Sequence, residues 1–112
     1  MSRWIRIATE DEVVPGQGRA LAVGDLRIAL FNHDGAYYAI DDDCPHQGAS
    51  LGEGAFFDGR VICPRHAWVF DVRTGRCPRD THEPVETYPT RRHAGAIEVE
   101  LPPDTGLRTE SP

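Results

Sequence analysis

The sequence predicts an all-β fold, an antiparallel β-sandwich or barrel base with a further subdomain inserted into it. Three observations lead there. Short apolar runs of strand length recur along the chain, turn signals separate them every ten residues or so, and no long helical pattern appears. In order, "WIRIA" (4–8) alternates, and "ALAVGD" (20–25) and "LRIALFN" (26–32) follow it as apolar runs. His33-Asp34-Gly35 then signals a hairpin into "AYYAID" (36–41). Before these, Thr9 and Glu12 have capping-box spacing, which predicts one short helical turn. Further on come "AWVFDV" (67–72), the turn "RTG", and the loop "RCPRDTHEP". The strand run "VETYPTRR" (85–92), the turn "HAG" and the alternating "AIEVEL" (96–101) close the fold. The end of the chain, 104–112, reads as a flexible tail.

A chain of 112 residues has room for one domain and one modest core. No apolar run nears the roughly 20 residues that span a bilayer, and the first residues lack the apolar stretch of a signal peptide. The expectation is a cytoplasmic protein with no membrane partner. Formal charge is −6, which argues against nucleic acid and suits a basic protein partner. Three cysteines in such a chain point to metal or redox chemistry before a disulfide framework.

The chemistry is concentrated in "CPHQGASLGEGAFFDGRVICPRH", 44–66. It holds two half-motifs, Cys44-x-His46 and Cys63-x-x-His66, with sixteen residues between them. Two Cys and two His suit zinc, and a zinc-stabilised binding module is the simplest alternative. Structural zinc sites usually draw both Cys from one knuckle and both His from a following helix. Here each knuckle is mixed and no helix is expected, which suits a dinuclear centre gripped from two sides. Pro45 and Pro64 stiffen the loops and remove an N–H after each Cys, and Gly48, Gly52 and Gly54 permit close approach.

On these residues, together with "WVFDVRTG" after them, the chain resembles the Rieske [2Fe-2S] family over about Trp4 to Leu101. It is most similar to the small Rieske ferredoxins of bacterial ring-hydroxylating dioxygenases and to the small subunit of NAD(P)H-dependent nitrite reductase. The resemblance implies one [2Fe-2S] cluster per chain, with Cys44 and Cys63 on the inner iron and His46 and His66 on the outer one. It implies a single domain over 1–103 whose cluster-binding part spans about 43–84. A one-electron carrier follows, between an NAD(P)H-dependent flavin reductase and a terminal oxygenase. The alternative is a subunit of an assimilatory nitrite reductase. Substrate chemistry is not expected of so short a chain, which lacks a 2-His-1-carboxylate iron site. Two neutral imidazoles in place of two thiolates make the cluster less negative and easier to reduce.

High-potential members of the family carry an inter-loop disulfide and two hydroxyl donors to the cluster sulfurs. The matching positions here are Ala49 and Arg65, and Trp68 and Phe70, so neither device is available. The expected potential is therefore at the low end of the Rieske range, about −150 mV. Cys77 matches no ligand position and reads as a semi-exposed loop thiol. His33, His82 and His93 read as solvated, and Trp68 and Phe70 as core residues. Asp41-Asp42-Asp43 serves equally as an acidic turn or as a docking patch. Pro78 or Pro84 would supply the proline of a covering third loop.

Overall fold

A computed structural model describes residues 3–45, 49–64, 68–77 and 83–102. Among them are ten strands, one 3-10 turn (Leu51–Glu53) and no α-helix, as the alternation of the sequence requires. The strands are β1 (Arg3–Thr9), β2 (Gly18–Val23), β3 (Leu26–His33), β4 (Ala36–Asp41), β5 (Ala55–Phe57), β6 (Arg60–Ile62), β7 (Val69–Asp71), β8 (Thr87–Tyr88), β9 (Thr90–His93) and β10 (Ala96–Leu101). They form three antiparallel sheets, ordered β1-β10-β9, β2-β3-β4-β8 and β5-β6-β7.

Local chemistry sets the hairpins. Asp34-Gly35, Asp58-Gly59 and Ala94-Gly95 each hold two successive positive φ angles, the geometry of the tight turn whose twist matches paired strands. At the first of these, Asn32 supplies further support. Its Oδ1 accepts the Gly35 N–H (2.8 Å) and its Nδ2 donates to the Val13 carbonyl (2.8 Å), tying the 13–17 loop to the strand. The capping-box pair makes a turn and no helix. Glu12 Oε1 accepts the Thr9 N–H (2.9 Å), but the Thr9 hydroxyl donates to Asp11 (2.6 Å) and leaves the helical cap unmade.

The run 85–92 is not one strand. Pro89 has no N–H to extend the β4–β8 ladder, so the chain leaves the second sheet there and continues as β9 in the first. The Pro89 carbonyl already accepts the Glu100 N–H of β10 (3.0 Å), so the change of sheet is made at a single residue.

The second sheet is the shared wall of the molecule. Along β3, Ile28 and Leu30 enter a core with Val23, Ile97, Val99 and Leu101, facing the first sheet. Ala29 and Phe31 enter a second core with Leu51, Val61 and Phe70, facing the third. A strand buried on both faces needs an unbroken apolar run, which "IALF" provides. Each large side chain buried there contributes roughly 1.5–3 kcal/mol. The Phe31 ring meets Phe56 of β5 at 4.7 Å, tilted by 41°, and so fastens the third sheet to the wall.

Candidate metal centre

Two loops rise from this second core, and they close in the same way. In the first, the Cys44 N–H donates to the Ala49 carbonyl (2.9 Å). In the second, the Cys63 N–H donates to the Trp68 carbonyl (2.7 Å). Each bond joins a Cys to the residue five positions on, and a Pro follows each Cys. Cys44 and Cys63 are only 2% and 1% exposed and share one apolar core with Leu51, Val61 and Phe70. Half-buried Ala49 and Trp68 pack against that core. Two buried thiols from separate hairpins therefore meet in a dry, apolar setting, where thiolates are retained as metal ligands more readily than as isolated charges. His46 and His66 belong to the segments 46–48 and 65–67, outside the described residues. The described half of the donor set fits an iron–sulfur group.

The loops differ in what holds their stems. The second leaves a regular ladder, since Ile62 of β6 pairs Val69 of β7. The first has, among the described residues, the isolated bridge Asp43–Ser50, made by the Cys44–Ala49 bond and the Leu51 N–H donating to the Asp42 carbonyl (2.7 Å), the Asp42 N–H donating to the Arg27 carbonyl (2.9 Å), and a side chain. That side chain is Asp42, which is fully buried. Its Oδ1 accepts both the Ser50 hydroxyl (3.0 Å) and the Gly52 N–H (2.7 Å). Its Oδ2 faces Arg27 Nη2 (3.2 Å). The 3-10 turn that carries Gly52 lies directly on β2, and a Cβ on Gly52 would stand 2.6 Å from the Ala20 nitrogen.

The acidic triad is thus three residues with three environments. Asp41 accepts the Tyr88 hydroxyl (2.6 Å); burial first, and then this carboxylate, push the Tyr88 phenol well above its ordinary value. Asp42 is internal, and Asp43 is exposed, with Arg27 at 3.8 Å. Neither a simple acidic turn nor a uniform docking patch describes them. The sequence offered no means of telling which carboxylate turns inward.

Beside the second loop, Asp71 ends β7. Its Oδ1 accepts the Arg73 N–H (2.8 Å) and Nε–H (3.0 Å), and its Oδ2 accepts Nη2–H (2.8 Å). The guanidinium holds the Asp71 carboxyl below its ordinary value. Phe70 is fully buried, as a core residue should be, and Trp68 lies 6.5 Å from it, ring to ring. Cys77 corrects the sequence reading: it is 7% exposed, a buried thiol and not a semi-exposed one. His33 is half-buried and meets the Phe56 ring edge-on at 6.4 Å, so it is less solvated than its turn context suggests. His93 is exposed, as is Pro84, while His82 and Pro78 lie outside the described residues.

An all-β sandwich that presents buried thiols on paired, similarly closed loops fits the class of iron–sulfur proteins. The chain belongs to the Rieske [2Fe-2S] domain family, whose family model matches residues 3–89, and its cofactor is a [2Fe-2S] cluster. The 3-phenylpropionate/cinnamic acid dioxygenase ferredoxin subunit of Shigella flexneri serotype 5b (strain 8401) is 44% identical over 90 residues, covering 77% of this chain and 84% of its own. The ferredoxin of carbazole 1,9a-dioxygenase from Nocardioides aromaticivorans IC177 superposes with a TM-score of 0.80 at 31% identity, covering 86% of this chain and 95% of that one. A putative NADH-dependent nitrite reductase small subunit from Mycobacterium tuberculosis superposes with a TM-score of 0.81 at 27% identity, covering 91% and 97%. No helix among the described residues is long and apolar enough to cross a membrane.

Proposed function

We propose that this chain is a low-potential Rieske ferredoxin of the cytoplasm, a one-electron carrier between an NAD(P)H-dependent flavin reductase and a terminal ring-hydroxylating oxygenase. The observation that carries the reading is the pair of similarly closed loops, each opened by a buried Cys and each bearing a His in its sequence. Dioxygenase ferredoxin subunits among its relatives give the reading its partners. Cys44 and Cys63 are assigned to the inner iron, and His46 and His66 to the outer one, within a single domain over 1–103 whose cluster-binding part spans about 43–84.

When bound, the cluster takes up and releases one electron. The chain does the rest. The Cys44 and Cys63 thiolates would hold the inner iron, Leu51, Val61 and Phe70 would keep water from them, and His46 and His66 would supply the ligands of the outer iron. Phe70, with no hydroxyl, offers the cysteine sulfurs no donor, so the reduced state goes without that stabilisation and the potential stays low. Two irons and two acid-labile sulfides per chain, with a Rieske-type electron paramagnetic resonance (EPR) spectrum after dithionite, are the expected analysis. A colourless protein holding one zinc would end this reading.

A second reading, the small subunit of a nitrite reductase, is favoured by the likeness to the Mycobacterium tuberculosis structure. Reduction by a flavin reductase with NADH, followed by reoxidation on adding a ring-hydroxylating oxygenase, supports the first. Co-purification with a sirohaem reductase supports the second.

A further inference from the structure

The two halves of the centre are supported unequally, and the inequality rests on one buried carboxylate. We propose that Asp42 is a positioning residue for the Cys44 half of the centre, and that its two oxygens have separate duties. Oδ1 holds the loop stem; Oδ2 does not. The inference rests on the assignment of Cys44 and His46 as ligands.

Oδ1 accepts from Ser50 and Gly52, both on the returning side of the first loop, while Asp42 itself stands two residues before Cys44. The carboxylate thus spans the loop at its base, where, among the described residues, the two sides are joined by one isolated bridge, made of the Cys44–Ala49 and Leu51–Asp42 bonds. The outgoing side is tied to β3 by the Asp42 N–H donating to the Arg27 carbonyl (2.9 Å). Where the loop leaves the core decides where Cys44, and the His two residues later, can reach. Oδ2 looks the other way, to an Arg27 side chain that is 55% exposed. Because the guanidinium lies at the surface, water can take its place at Oδ2 when Arg27 is removed, and the Oδ1 bonds to the loop stay as they are. In the second half, the β6–β7 ladder does the equivalent work with backbone bonds.

The division of duties makes Asn a rescuing residue. Asp42→Asn keeps an oxygen at Oδ1 for both donors and loses only the pairing with Arg27. Asp42→Ala removes the clamp, and Ser50→Ala removes one of its two bonds. Outer partners of metal ligands are commonly worth about 10–100-fold in metal retention. The test follows the visible absorbance of the reconstituted protein under excess EDTA, with the EPR spectrum of the dithionite-reduced fraction that still holds its cluster.

Asp42→Ala is expected to bleach at least about tenfold faster than wild type, with shifted or broadened g values. Asp42→Asn and Arg27→Ala should stay within about twofold of wild type, and Ser50→Ala should fall between. If Asp42→Asn bleaches as fast as Asp42→Ala, charge and not the Oδ1 clamp is what matters, and the proposal is overturned. Wild-type rates and spectra in all four variants overturn it as well. Should Asp42→Ala fail to fold, the order Ser50→Ala faster than Asp42→Asn decides, and the reverse order rejects the clamp. Wild-type protein without iron and sulfide would instead sink the ligand assignment, and this inference with it.

Discussion

The first ligand loop, 44–49, and the second, 63–68, begin with the same Cys-Pro step and close with the same hydrogen bond. Their foundations differ. The second stands on a strand ladder, whose bonds are made by backbone groups that every non-proline residue possesses. The first has a single bridge in place of a ladder and leans besides on Asp42, Ser50 and a glycine-bearing turn pressed against β2. A backbone foundation tolerates changes of side chain, while a side-chain foundation does not. Equal geometry at the top of a loop can hide unequal sensitivity below it.

The largest expected effect ignores this difference. Cys44→Ser and Cys63→Ser should each abolish the cluster, as should His46→Ala and His66→Ala, because the two halves hold one group between them and metal binding is coupled to folding. Iron content and visible absorbance measure the loss. Cys77→Ser, at a buried thiol outside both loops, should keep the spectrum. A cluster that survives in Cys63→Ser and vanishes in Cys77→Ser would reassign the ligands.

Next comes a change that attacks the first foundation alone. In Gly52→Ala the new methyl would lie 2.6 Å from the Ala20 nitrogen and 2.9 Å from the Ala20 Cα and Arg19 carbonyl carbon. Backbone cannot swing aside as a side chain can, so the 3-10 turn must lift from β2, at a cost of roughly 1–3 kcal/mol. Urea denaturation of the holoprotein should show the loss, along with weaker cluster retention. An unchanged midpoint would mean that the turn slides freely and is no foundation.

Phe70→Tyr probes the second side. A phenolic donor reaching a cysteine sulfur favours the reduced state, so the potential should rise by some tens of millivolts, where about 59 mV corresponds to about 1.4 kcal/mol for one electron. Phe70 is fully buried, so a hydroxyl without an acceptor would cost about 1–3 kcal/mol of stability instead. Protein-film voltammetry separates these outcomes. An unchanged or lowered potential with the cluster intact rejects Phe70 as a cause of the low potential.

The smallest effect concerns Asp71 and Arg73, which brace the end of β7. The folded-state pKa of Asp71 lies below its ordinary value of 3.8, chiefly through the Arg73 hydrogen bonds. The ionised form is therefore favoured in the folded chain. The contribution is fully present above pH 3.8 and fades as pH falls through the lower, folded-state value. Arg73 is exposed while Asp71 is half-buried, so solvent screens the pair from one side and it is worth at most about 1 kcal/mol. Arg73→Ala should lower the thermal midpoint slightly at pH 6 and by less at pH 2.5, by calorimetry. The same deficit at both values would point to lost packing against Gly59 rather than to charge.

By itself the sequence determined the all-β class and the Asp34-Gly35 hairpin, and it set Cys44 two residues from His46 and Cys63 three from His66, because each depends on neighbours a few residues apart. The β5–β6 hairpin went unread although Asp58-Gly59 is the same turn signal; its strands are only three residues long, too short to show a period. Other features depended on contacts distant in the chain, and only the tertiary structure decided them. Asp42 turns inward while Asp41 and Asp43 do not, because its carboxylate finds Ser50, Gly52 and Arg27, brought to it by two different segments, the 50–52 turn and β3. Cys77 is buried although its sequence context is a loop, and 85–92 divides at Pro89 because two sheets compete for it. Local patterns record which residue types a backbone needs. Burial of a charge records which partners arrive from elsewhere, and a linear sequence does not carry that geometry on its surface.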